Sequence, residues 1–152
     1  MSKYVVFKTG NEEYGIPLQE VVSIEKLTEM TPIPQMPEYV KGMIEIREEL
    51  FPIVDLEYIF YNRYQTLNEN ARFVVVQTDE LSLAVLVNEV KEIIEIAPEK
   101  IKQVPLIANN KTVYISGVAS LESGLVTLIN PKRLAGSLDG FKELQNYMES
   151  HH

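Results

Sequence analysis

The sequence predicts a mostly β protein made of two small antiparallel barrels packed together, and three features point to it. The first is an internal duplication. Tyr39-Val40-Lys41-Gly42-Met43 lies over Tyr114-Ile115-Ser116-Gly117-Val118, and the frame holds without a gap through Leu50 over Leu125, Ile53-Val54-Asp55 over Leu128-Ile129-Asn130 and Ile59 over Leu134. Self-similarity of this kind means that one supersecondary unit is used twice. The second is a succession of short β-type runs punctuated by Gly and Pro, about five in each copy. The third is size: 152 residues with 45% hydrophobic content bury a core, but only that of one ordinary domain or of two very small lobes sharing one. Closure into barrels also hides strand edges.

The elements follow in order. Lys3 to Thr9 and Glu13 to Leu18 are apolar β runs separated by Gly10-Asn11-Glu12, a turn of hairpin length. Glu20 to Lys26 continues as a mixed strand, and Thr31-Pro32-Ile33-Pro34 forces an extended loop because proline biases its predecessor away from helix. Pro37-Glu38-Tyr39-Val40 reads as one helical turn closed by Gly42. Two strands joined by a tight acidic turn follow, then a short helix over Leu56 to Tyr61 and a polar surface stretch from Asn62 to Ala71. The second copy opens with Arg72 to Gln77 and Leu81 to Val87, and Asn88-Glu89-Val90-Lys91-Glu92-Ile93 answers Gln19-Glu20-Val21-Val22-Ser23-Ile24. Pro98 and Pro105 bound a loop, Thr112 to Ala119 and Leu125 to Asn130 form the second hairpin, and Pro131 to Gly136 is a helical turn. A C-terminal helix runs from about Leu138 to Glu149, with Leu138, Phe141, Leu144, Gln145 and Met148 on one stripe that docks on the body.

A net charge of −8 argues against nucleic acid and against an anionic lipid surface. No apolar run has the length of a membrane span and the N-terminal residues lack the apolar region of a signal peptide, so a cytoplasmic location is expected. Zero cysteines remove disulfides, thiolate zinc sites and thiol nucleophiles together. The only histidines are His151 and His152, either natural or a fragment of an expression tag. No phosphate loop, calcium loop or cofactor motif is present, and neither a metal nor a cofactor is expected. Catalysis is left with paired carboxylates, Glu45 with Asp55 being the best couple. Asp55 has a plainer role, since an aspartate at a strand end caps the helical turn that follows.

Arg47 stands out among the charged residues. On a strand, Met43, Glu45 and Arg47 share one face and Ile44 and Ile46 the other, so its guanidinium is outside, paired with Glu45 or free for a partner. Val21 and Val22 pose a related question. Consecutive β-branched residues point to opposite faces, and one of the two must look outward or into a seam between lobes.

These residues resemble the CheW coupling proteins of bacterial chemotaxis over nearly the whole chain. The likeness is carried by Asn11-Glu12-Glu13-Tyr14-Gly15-Ile16, Glu20-Val21-Val22-Ser23-Ile24, Pro37-Glu38-Tyr39-Val40-Lys41-Gly42 with Arg47, and Phe51-Pro52-Ile53-Val54-Asp55-Leu56; Tyr114 to Val118 and Leu128 to Leu134 resemble the same family's second lobe. The resemblance implies two SH3-like five-stranded barrels in which the first strand of each copy completes the other, giving lobes of residues 13–79 and of 1–12 with 80–136, then a C-terminal helix and tail, 137–152. It implies a non-enzymatic adaptor between the cytoplasmic tip of methyl-accepting chemoreceptors and the regulatory domain of a CheA-type histidine kinase, with no direct membrane insertion. A peptide-binding barrel protein outside chemotaxis has the same fold.

The positions matching the family's apolar receptor groove are Val5, Leu18, Val21, Ile24 and Ile93, with Val21 the strongest, and Arg47 matches the family arginine. The chain departs from the family where Ile44-Glu45-Ile46-Arg47-Glu48 replaces Ile-Asn-Leu-Arg-Gly. Glu45 and Glu48 therefore join the candidate partner-binding residues as carboxylates able to neutralise Arg47 or redirect it to another partner. A glutamate at position 48 is expected either to bear the steric cost of the glycine backbone or to adopt another turn.

Overall fold

The computed structural model describes residues 1–79, 81–103 and 113–151. Strands are β1 (Ser2–Thr9), β2 (Glu12–Pro17), β3 (Val21–Lys26), β4 (Val40–Ile46), β5 (Glu49–Asp55), β6 (Arg72–Val76), β7 (Leu83–Val87), β8 (Glu89–Ile96), β9 (Ile101–Lys102), β10 (Ile115–Leu121) and β11 (Gly124–Ile129). Helices are α1 (Leu56–Tyr61), α2 (Pro131–Ser137) and α3 (Phe141–Ser150), with single 3-10 turns at Leu18–Glu20 and Pro98–Lys100. The protein is mostly β, in two sheets ordered β8-β1-β2-β11-β10-β9 and β3-β6-β7-β5-β4.

Each sheet borrows a hairpin from the other copy. β2 runs parallel to β11, with Thr127 beside Tyr14, and β7 runs parallel to β5, with Val54 beside Val85. The expected exchange of single first strands is thus corrected: β1 and β2 travel together, as do β6 and β7. The reason is the turn. Gly10-Asn11, with Gly10 at φ 64, is too short to send β1 to one sheet and β2 to another. Sheet membership joins residues 2–17 to β8–β11 and residues 21–55 to β6–β7, so the breaks expected at 12/13 and 79/80 fall within hairpins.

Alternation along these strands builds three cores. Ile44, Phe51, Ile53, Phe73, Val75, Ala84 and Leu86 cluster on the β3-β6-β7-β5-β4 sheet, and Val6, Ile96, Ala119, Val126 and Leu128 on the β8-β1-β2-β11-β10-β9 sheet. The intervening residues of the same strands, among them Phe7, Tyr14, Ile16, Val54, Val74, Val76, Val85 and Ile129, meet in a seam shared by both sheets. A fourth cluster forms where α3 lays Leu144 and Met148 against Ile33, with Met43 and Leu50 at its margin. The C-terminal helix docks as its stripe requires, but begins at Phe141, because Gly140 at φ 81 breaks the chain after Leu138.

The duplication is visible in geometry. Asp55 and Asn130, at equivalent positions, cap α1 and α2 by accepting from Tyr58 N and Arg133 N. Their own N–H groups donate to the equivalent carbonyls of Tyr39 and Tyr114 at 2.8 Å. Each copy also has a register shift at the equivalent glycine, between Val40 and Gly42 and between Ile115 and Gly117. Gly42 therefore lies inside β4, and Pro37 to Val40 is a turn closed by a Val40 N to Pro37 O bond, not a helical turn. Gly42 is needed for closeness: a Cβ there would stand 2.3 Å from Thr31 O, where Thr31 and Met43 exchange backbone hydrogen bonds. Leu18 leaves the expected strand for the 3-10 turn. The expected polar surface of 62–71 holds except at Gln65 and Ala71, which are buried. Pro105 and Thr112 lie outside the described residues.

Candidate partner-binding surface

The two edge strands β3 and β8 present apolar side chains along the seam. Val21 pairs with Val76 and Ile24 with Val74, both seam residues, while Ser23 pairs with Val75 and Glu25 with Phe73, both of the sheet's inner core. A bulge between Val21 and Ser23 makes this phasing possible. It inserts Val22 as an extra residue, so that Val21 and Ile24 face the same side despite being three apart. The bulge answers the question of the consecutive valines: Val21 is half-buried against the seam, and Val22 is 55% exposed. The second copy repeats the device. The β1–β8 register shifts at Val6/Phe7 opposite Glu92/Val90, leaving Lys91 as the extra residue and turning Val90 and Ile93 to the seam side.

The candidate apolar residues therefore do converge, in unequal roles. Ile93 pairs directly with Val5, whose neighbours two along include the seam residue Phe7. Val5, on the strand between β2 and β8, is fully buried and offers a partner no surface. Leu18, in the 3-10 turn against β1, and Val21 are half-buried. The residues open to a partner are Ile24 at 38% and Ile93 at 53% exposure, which occupy equivalent positions in the two copies. Val22 was not among the sequence candidates; the paired β-branched residues Val21-Val22 were the signal that pointed to it.

The acidic turn is not the strand end that alternation suggests. β4 ends at Ile46, and Arg47 and Glu48 are the two central residues of the β4–β5 hairpin, with φ 51 and 71. Positive φ at both positions is the signature of a type I′ turn, where glycine and asparagine are usual. Glu48 thus keeps the glycine-type backbone and bears its cost. Arg47 pairs with Glu25 of β3, Nη1 to Oε2 at 3.5 Å, and not with Glu45 as alternation implied. Glu45 and Glu48 are both exposed.

The carboxylate couple does not form. Glu45 stands opposite Leu50, and Asp55 lies five residues further along β5, roughly 17 Å away at ~3.4 Å per residue. Asp55 is fully buried and fully engaged, accepting from Tyr58 N at 3.1 Å, Gln65 N at 3.1 Å and Gln65 Nε2 at 3.0 Å. A pocket of about 450 Å³ between the β6–β7 turn, α2 and α3 includes neither residue; Asp79 at its rim is paired with Lys132 at 3.3 Å.

Among the described residues, the groups whose acidity is clearly shifted are tyrosines, of which Tyr39 donates to Asp139 O and Tyr58 to Glu38. Burial is the largest cause raising the phenols of Tyr14, Tyr39 and Tyr114, and Tyr14 is held further by its hydroxyl contact with Tyr61. Tyr58 is pushed up to about 12, first by donating to Glu38.

Residues 3–139 match the model of the CheW-like domain. The chain belongs to the CheW-like family. Among CheW relatives, the chemotaxis protein CheW of Klebsiella aerogenes is 27% identical over 98% of this chain and 90% of its own length. That of Treponema pallidum is 30% identical over 93% of this chain and 84% of its own. The crystal structure of the scaffolding protein TtCheW from Thermoanaerobacter tengcongensis superposes with a TM-score of 0.78 at 26% identity, covering 88% of this chain and 86% of that one. The two sheets are accordingly the two SH3-like barrels of a CheW-like fold.

Proposed function

We propose that this chain is a non-enzymatic adaptor of chemotaxis signalling, working in the cytoplasm. Its seam-side surface takes the cytoplasmic tip of a chemoreceptor, and its Arg47 face takes the regulatory domain of a CheA-type histidine kinase. The observation that supports this best is the pair Ile24 and Ile93, exposed apolar residues at equivalent positions on two edge strands beside one seam. Exposed apolar side chains grouped on edge strands suit a protein partner, and an extended or helical receptor segment fits a surface with this two-lobed symmetry. Membership of the CheW-like family favours chemotaxis over a peptide-binding role elsewhere. The other alternative, a small carboxylate-dependent hydrolase using the couple Glu45 and Asp55, finds no support, since the two carboxylates lie on different parts of the sheet.

The test is the double variant Ile24→Asp with Ile93→Asp. Binding of a receptor-tip fragment is expected to fall at least ~10-fold by titration calorimetry, the size of a modest hot spot, while the melting temperature changes little. Val21→Asp is expected to behave differently, lowering the melting temperature by placing a carboxylate against the seam core, where an unpaired buried charge costs several kcal/mol, on the order of a large fraction of total stability. Unchanged receptor affinity in the folded double variant would exclude the seam-side surface.

A further inference from the structure

The two edge strands beside the seam differ in charge at one equivalent pair of positions. Two residues beyond Ile24, Lys26 stands directly opposite Arg72 of β6; two residues beyond Ile93, Glu95 stands directly opposite Lys3 of β1. Both pairs share a face with Ile24 and Ile93, the seam side of their strands. The second lobe thus sets opposite charges across its ladder, which stabilises a sheet, whereas the first sets two cations across it, which destabilises one. The chain as a whole carries a net charge of −8, yet among the described residues no carboxylate lies within ion-pair distance of Lys26 or Arg72. Arg72 is held in place. Its Nη1 donates to the carbonyls of Glu69 at 2.9 Å and Ala71 at 2.8 Å, which leaves Nε and Nη2 as donors. Lys26 is exposed, and the two cations border a cavity of about 270 Å³ completed by Leu27, Asn68, Glu69 and Ala71.

We propose that Lys26 and Arg72 form a carboxylate-binding subsite beside Ile24, taking an acidic side chain of the segment that docks on the seam-side surface. A carboxylate set between the two cations relieves their repulsion and accepts charge-assisted hydrogen bonds from both. The second lobe has no counterpart, because Glu95 offsets Lys3 there and repels an acidic group. This asymmetry breaks the likeness of the two lobes and gives a bound segment one direction, its acidic end on the first lobe. That the segment is a receptor tip rests on the function proposed above.

Lys26→Glu tests it, because it rebuilds in the first lobe the opposite-charge pair of the second. In the free protein this variant is expected to melt about 1–3 °C higher, as opposed cations become a complementary pair. A receptor-tip fragment that keeps its glutamates is nevertheless expected to bind the variant about five- to tenfold more weakly than the parent by titration calorimetry. For a fragment with those glutamates changed to glutamine, the parent's advantage is expected to disappear. A melting temperature that stays or falls overturns the premise of two opposed cations, and equal affinity of the parent for both fragments overturns the subsite. If Ile24→Asp/Ile93→Asp loses the fragment while Lys26→Glu binds it as the parent does, the subsite fails and the seam-side reading stands. If the isoleucine variant binds normally while Lys26→Glu still loses the glutamate fragment alone, the subsite stands and the seam-side reading fails.

Discussion

Gly42→Ala is expected to destabilise the protein by about 3–5 kcal/mol. Its φ of 137 is a backbone region that costs L residues on the order of 1–3 kcal/mol. The new Cβ would stand 2.3 Å from Thr31 O and 3.0 Å from Thr31 C, backbone atoms that cannot swing aside as a flexible side chain does. Relief requires moving the 31–32 segment, which breaks the Thr31 N to Met43 O and Met43 N to Thr31 O bonds at 2.9 and 2.8 Å, each worth roughly 1 kcal/mol. Gly136→Ala is the matched control: it lies within α2 with open space around it, so alanine is expected to stabilise by up to ~1 kcal/mol. Urea unfolding compares the two, and similar midpoints for both variants would mean that the close approach at Gly42 is absent.

Asp55→Ala is expected to cost about 3 kcal/mol. The cap on α1 accounts for ~1 kcal/mol, and the rest comes from stranding the buried Gln65 backbone N–H and removing one of the two acceptors of its Nε2, which keeps Leu86 O; burial without a partner costs ~1–3 kcal/mol. Asp55→Asn should cost less, because Asn130 already makes the equivalent cap on α2, yet an amide has one acceptor oxygen where three donors now converge on two. A loss below ~1 kcal/mol in Asp55→Ala, by urea unfolding, would show that the carboxylate does not carry this network.

Asp55 also marks what the sequence makes legible. The duplication, the cap that ends β5, the bounds of α1 and the apolar stripe of α3 are all local patterns, and each is found where its residues place it. What local pattern does not encode is pairing between distant segments. The hairpin exchange depends on which sheet β2 and β7 join, and alternation is the same in either sheet. Arg47 lies in the expected acidic turn and not on the strand for a related reason: alternation extends the strand through it, two positive-φ residues without glycine or asparagine do not mark where the turn starts, and its partner Glu25 lies on another edge strand. The apolar surface was half legible. Ile24 and Ile93, on edge strands, are exposed, and Val5, on an inner strand, is not; strand position in the sheet is set by pairing that alternation does not encode. Val22 was missed because a one-residue bulge reverses every assignment of face beyond it.

The central claim is that one chain holds two partners at once. Co-sedimentation of a kinase regulatory domain with membranes bearing a chemoreceptor tests it most directly. Kinase domain is expected in the pellet only when this protein is added, and to leave it again with either Ile24→Asp/Ile93→Asp or Arg47→Ala. Kinase domain that pellets equally well without the protein, or that stays in the supernatant with it, would contradict the adaptor role.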